Sequence, residues 1–224
     1  MTSNLTPKDL ILSPDDLSPE VVDQILGPYG FQDVRSVNQR LNNLADIPPY
    51  REAFAEIVNH LLSASVDSPD ADAALNNFER FVNATFDRLW LYRLLHDAPF
   101  LLRILSTCFG SSTYFSDILV RNPEYFYELM DAGMMSDPKD RETMYGELSQ
   151  AVQPFDLAEQ KLNAIRGYKR KESLRLGLRD LLGDADLETT TQELTNLAEA
   201  ALQVCYEIGT AELTPKMGTP WGEL

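Results

Sequence analysis

Cysteine, histidine and tryptophan are scarce in this 224-residue chain, with two of each. Cys108 and Cys205 lie 97 positions apart among apolar neighbours. That excludes a disulfide framework and predicts two buried, reduced thiols of the kind kept in cytoplasm. His60 and His96 have no Cys, His or carboxylate partner at a metal-ligand spacing, so neither a metal centre nor a histidine base is expected. His96 is expected near a helix C-terminus, where an imidazole complements the dipole. Positive charge is also in short supply: 19 Lys and Arg against 35 Asp and Glu leave a net charge of −16. A field of that sign repels phosphate backbones and anionic lipid, which argues against nucleic acid and membrane as partners. No apolar run reaches membrane-spanning length, since Leu89-Trp90-Leu91-Tyr92 is cut by Arg93. The opening Met1-Thr2-Ser3-Asn4 lacks the basic and apolar regions of a secretory signal, and a cytoplasmic location is expected. Clean apolar alternation bounded by hairpin turns is missing too, so no strands are predicted.

What is present is helix punctuation. Ser18-Pro19-Glu20 offers an N-cap, a first-turn proline and an acidic first turn, with Gly27 as a stop. Ser68-Pro69-Asp70 and Asp137-Pro138 repeat the device, and Pro49, Pro99 and Pro123 sit at plausible first turns. Leu75, Phe78, Val82, Phe86 and Leu89 recur at spacings of three and four and predict one helix from about Asp70 to Leu95. Its end, Trp90 to Leu95, is apolar almost all round and reads as a buried central helix. Short helices are expected over Pro99 to Phe109, Thr113 to Arg121 and Pro123 to Met130. Two long ones follow, from about Asp156 to Leu182 and from Leu187 to Ile208. The second is patterned by Leu194, Leu197, Ala201, Val204 and Ile208. The joint between them, Leu182 to Asp186, combines a glycine stop with a capping acid and predicts an antiparallel hairpin. The fold expected is therefore an all-α, multi-helix bundle without a sheet. Residues 1–66 form a smaller helical lead-in ending in a Ser63–Ser68 loop, 67–212 the bundle, and 213–224 a linker tail.

Three places invite a chemical reading. Gly110-Ser111-Ser112 followed by Asp117 has the outline of a phosphate-holding turn with a metal carboxylate, but position 119 is Leu119 and no strand precedes it. Asp184 and Asp186 have the spacing of paired metal carboxylates, yet in a helix joint acids serve as caps. No catalytic or metal-binding residue is assigned. The third is a basic cluster: Lys161, Arg166, Lys169, Arg170, Lys171, Arg175 and Arg179 put seven of the 19 basic residues into 19 positions. Lys171, Arg175 and Arg179 share one helical face. One reading is a solvated face paired with Glu172 and Asp180 or with acids on neighbouring helices, and it is favoured. The sharper one is a docking face for nucleotide phosphates or an acidic protein patch, with Arg166, Arg170, Lys171, Arg175 and Arg179 as its residues. Gly167 and Gly177 inside this helix each cost about 1 kcal/mol relative to alanine, so a close approach or a bend is expected there.

Several stretches resemble one family. The segment from Phe109-Gly110-Ser111-Ser112 to Arg121-Asn122-Pro123-Glu124 is similar to the glycine-serine turn, helix, arginine and proline-glutamate of glutamine synthetase adenylyltransferases. Ala74 to Phe81 resembles that family's asparagine-rich helix start. Ile165-Arg166 through Lys169-Arg170-Lys171-Glu172, Leu174-Arg175-Leu176 and Arg179-Asp180-Leu181 is similar to its basic helix. Thr195-Asn196-Leu197-Ala198-Glu199-Ala200 resembles the helix after that. The likeness covers about residues 70–209, and residues 1–66 are outside it. It implies an enzyme that moves AMP onto or off a tyrosine of glutamine synthetase, with ATP and magnesium on a nucleotidyltransferase core. The core's glycine-lysine-leucine-glycine-glycine and serine-aspartate-x-aspartate stretches do not occur here, so no cofactor is expected in this chain, which is read as the truncated or separately encoded helical part. The partners implied are that core and glutamine synthetase, with a PII-type nitrogen regulator as a further candidate. A stand-alone helical adaptor, binding a protein through the basic 161–179 helix, is the alternative.

Overall fold

The computed structural model describes residues 5–129 and 137–219. Among them are twelve α-helices and no strand, and none of the helices is long and apolar enough to cross a membrane. The chain divides into two compact units, Met1–Phe126 and Tyr127–Leu224.

The first unit holds α1 (Pro7–Leu12), α2 (Pro19–Leu26), α3 (Val34–Leu44), α4 (Pro48–Val66), α5 (Ala71–Ala84), α6 (Arg88–Asp97), α7 (Phe100–Ser111) and α8 (Thr113–Arg121); α9 (Glu124–Leu129) begins in it. Aspartate caps set several starts. Asp33, Asp70 and Asp87 accept from the backbone N–H groups of Ser36, Ala73 and Trp90, which satisfies first-turn donors that have no partner within the helix. The core is aromatic: Phe54, Phe78, Phe81, Tyr92, Phe109 and Phe126 are all buried. Phe81 lies 5.7 Å from the Phe109 ring and 5.6 Å from that of Phe126. The Tyr92 hydroxyl donates to the Leu44 carbonyl at 2.8 Å, which ties α6 to the end of α3.

Three sequence expectations are corrected in this unit. The helix expected over Asp70 to Leu95 is two helices. The Thr85 hydroxyl donates back to the Phe81 carbonyl at 2.9 Å, Asp87 starts a new cap, and Phe86 between them is fully exposed. α6 is also not buried all round, because Leu91, Tyr92 and Leu95 face inward while Trp90 is half exposed. Finally, Ser63 to Val66 is the last turn of α4 rather than a loop. Ser65 is buried there with its hydroxyl on the Leu61 carbonyl at 2.8 Å. Because α4 packs against α5, α6 and α7, the compact unit continues across residue 66 to Phe126.

The second unit is built on α10 (Arg141–Val152), α11 (Ala158–Leu182) and α12 (Leu187–Met217), which pack pairwise on one another. Leu148, Val152, Ile165 and Val204 form one apolar cluster, and Met144, Leu176, Leu197 and Ala200 another. α10 is anticipated in the sequence only as a start at Asp137-Pro138 with no range, although Met144, Leu148 and Val152 recur every four residues along it. Its cap is Asp140, which accepts from the Thr143 N–H, so Asp137-Pro138 precedes the helix instead of opening it.

The α11–α12 joint follows its predicted chemistry. Gly183 takes φ +77°, the left-handed region a glycine enters without strain, while the Asp184 N–H donates to the Arg179 carbonyl at 2.8 Å. Asp186 caps α12 through the Thr189 N–H. α12 then runs nine residues beyond Ile208, so positions 213–217 of the expected tail are helical, with Pro215 in the last turns. That proline has no N–H to offer the Ala211 carbonyl, a loss water makes good on an exposed helix end. Met130, the expected end of the helix after Pro123, and residues 220–224 of the expected tail lie outside the described residues.

Candidate functional site

The basic residues of α11 separate into two groups. Arg166, Lys169 and Arg170 are exposed, and Lys171 is partly covered and forms an ion pair with Glu128. Arg175 and Arg179 point the other way and are 1% and 2% exposed. The solvated face expected of Lys171, Arg175 and Arg179 is therefore corrected: two of the three are core residues.

A buried network explains how two guanidinium groups are tolerated there. Glu193 of α12, itself buried, receives the Arg175 Nη2 at 2.5 Å, an Arg179 Nη1 donor and the Lys139 backbone N–H at 2.9 Å. Arg175 Nε also donates to Glu172 at 2.8 Å, one turn back on α11. The Lys139 ammonium bridges Glu172 at 3.0 Å and Glu147 of α10 at 2.7 Å. Tyr168 donates its hydroxyl to the same Glu147 oxygen at 2.7 Å. Asn196 of α12 donates to the Lys139 carbonyl at 3.1 Å, so both backbone groups and the side chain of Lys139 are engaged by the bundle. Three cations, Lys139, Arg175 and Arg179, thus face three carboxylates, Glu147, Glu172 and Glu193. A buried charge needs such balance, because desolvating an ion costs several kcal/mol and only close, well-hydrogen-bonded partners offset it.

The electrostatics agree with the geometry. Burial pushes the Glu193 carboxyl up, but hydrogen bonds from Arg175 and the Lys139 N–H, together with the charges of Arg175 and Arg179, outweigh it and hold the group below its ordinary range. Glu147 behaves alike: burial raises it, while Lys139, Tyr168 and Arg175 bring it below normal. Arg175 is opposed by burial and drawn up by Glu172 and Glu193, so it stays charged. Burial, with Glu172 and Glu147 nearby, raises the Tyr168 phenol and keeps it protonated. The Arg175 Nη1 and Arg179 Nε atoms have no hydrogen-bond acceptor among the described residues. Beside the network, a shallow groove of about 410 Å³ runs between the segment before α10 and α12, lined by Lys139, Asp140, Gln192 and Asn196 among others. Every carboxylate in the network is held by cations. The arrangement braces three helices and leaves no side chain free to act as a base or nucleophile.

The remaining candidates are absorbed by packing. A methyl group on Gly110 would fall 2.5 Å from the Ser68 hydroxyl and 2.9 Å from the Asp70 carbonyl, so this glycine lets α7 approach the α4–α5 turn. Ser112 caps α8 through the Phe115 N–H. Asp117 forms an ion pair with Arg80 at 2.7 Å, and that hydrogen bond lowers its carboxyl. Arg80 in turn donates to Asn77 at 2.8 Å, and Asn77 to the Phe109 carbonyl at 3.0 Å. Asp186 is a cap and Asp184 part of the α11 stop. His60 and His96 are exposed, His96 in the last turn of α6. Among the described residues no three His, Cys, Asp or Glu side chains are grouped to hold a metal. Cys108 is buried as expected and its thiol is pushed up to about 12 by burial, whereas Cys205 is only partly covered.

Lys139, Glu147, Tyr168 and Glu193 escaped the reading of the sequence. A signal for one of them was there. The inward register of α12 is Thr190, Glu193, Leu197, Ala200 and Val204, and a glutamate in that series marks a buried acid needing cations. Of the register expected along this helix, Leu197 and Val204 are buried and Ala201 and Ile208 pack against the Val204 cluster, while Leu194 is exposed.

A family model described as glutamate-ammonia ligase adenylyltransferase matches residues 102–224. Three relatives described as bifunctional glutamine synthetase adenylyltransferase/adenylyl-removing enzymes show the same likeness. The one from Streptomyces coelicolor is 31% identical over 79% of this chain and 18% of its own length. The Thioalkalivibrio sulfidiphilus protein is 25% identical over 92% of this chain and 22% of its own, and that of Mesorhizobium japonicum 27% identical over 75% and 17%. The chain spans about a fifth of the length of the curated relatives it matches.

Proposed function

The chain belongs to the glutamate-ammonia ligase adenylyltransferase family, and from that premise we propose that it is a non-catalytic helical part of an enzyme that transfers AMP from ATP to a tyrosine of glutamine synthetase, or removes it. ATP, magnesium and the groups that handle them belong in this reading to a nucleotidyltransferase core outside the span of this chain. The observation that carries it is the occupation of the family-like residues. Asn77, Gly110, Ser112, Asp117, Arg175 and Arg179 are each engaged in a buried hydrogen bond, a close approach, a cap or an ion pair. Their work is to hold helices, which is what a support for a core elsewhere requires. The basic cluster enters through its outward half: Arg166, Lys169 and Arg170 present charge that a carboxylate-bearing surface of the core or of glutamine synthetase complements. A PII-type regulator is a further candidate for this cytoplasmic assembly.

Calorimetric titration of ATP with magnesium into the chain tests the reading, and no saturable heat is expected. Saturable binding, or AMP transfer to glutamine synthetase by the chain alone, overturns it. Binding of glutamine synthetase that disappears in Arg166→Glu/Arg170→Glu while ATP still gives no heat would assign the outward edge to that partner.

A further inference from the structure

No further inference is drawn: the strongest candidate, the groove of about 480 Å³ between α4 and α6 lined by Glu52, Glu56, Arg93, His96 and Asp97, carries nothing because each of those charged side chains is exposed and the buried Tyr92 hydroxyl beside them is already bound to the Leu44 carbonyl, so nothing in the structure shows what would fill it.

Discussion

Glu193→Gln asks what the buried network contributes. The side chain keeps its shape and loses its charge, so packing is nearly unchanged while three cations face two carboxylates. Arg179 loses its recorded ion partner, and Arg175 keeps Glu172 alone. Removing one partner of a buried pair costs about 3–5 kcal/mol, because the other charge stays desolvated and uncompensated. In a unit of about a hundred residues, each kcal/mol shifts the melting point by at least about 4 °C, so a drop of about 12 °C or more is expected. Arg179→Met should cost less, about 1.5–3 kcal/mol, since Glu193 retains Arg175 and the Lys139 N–H. The double variant Arg179→Met/Glu193→Gln returns the network to two cations and two carboxylates. It should be more stable than the sum of the single changes by about 1–3 kcal/mol. Thermal and urea unfolding followed by far-ultraviolet circular dichroism measures all three. A cost for Glu193→Gln below about 1 kcal/mol, or strict additivity, would show that the charges are solvated in solution and refute the reasoning.

Acid should unfold the second unit through the same groups: the lowered carboxyls of Glu193 and Glu147 stabilise it above their ordinary value of 4.5, and that contribution is lost as pH falls through the lower folded values. A urea midpoint flat near neutral pH and declining below about 4.5, less steeply in Glu193→Gln, is the expected profile. Gly110→Ala should lower stability by about 1–3 kcal/mol in chemical denaturation despite alanine's better helix propensity, because the added carbon meets the Asp70 backbone carbonyl as well as Ser68. Tyr92→Phe removes the donor to the buried Leu44 carbonyl and should cost about 1–3 kcal/mol by the same assay. Of the two thiols, Cys205 should react with a chromogenic disulfide in the native protein and Cys108 only on unfolding; two equally fast thiols would contradict the burial of Cys108.

The sequence reveals what is set locally. Ser18 before Pro19, Gly183 in the left-handed region and Asp186 as a cap all depend on a few neighbouring atoms, and each stands where its residue type predicts. It conceals what is decided between helices. The apolar spacing runs through Thr85 and Phe86 without interruption, so the α5–α6 break shows only in the competing bonds of Thr85 and Asp87. Arg175 and Arg179 look like surface residues until Glu193 and Lys139, from other parts of the chain, come alongside. Charge type favours the outside of a helix, and here three-dimensional pairing outweighs that preference.

The balance of three cations against three carboxylates also constrains how the protein can change over generations. A single substitution at Glu172, Arg175, Arg179 or Glu193 strands an opposite charge in the interior, whereas matched pairs can leave together. Sequences that diverge at one of these positions should differ at a second, and an apolar set filling the same volume is the other stable end of that path. The route between the two runs through intermediates that fold poorly.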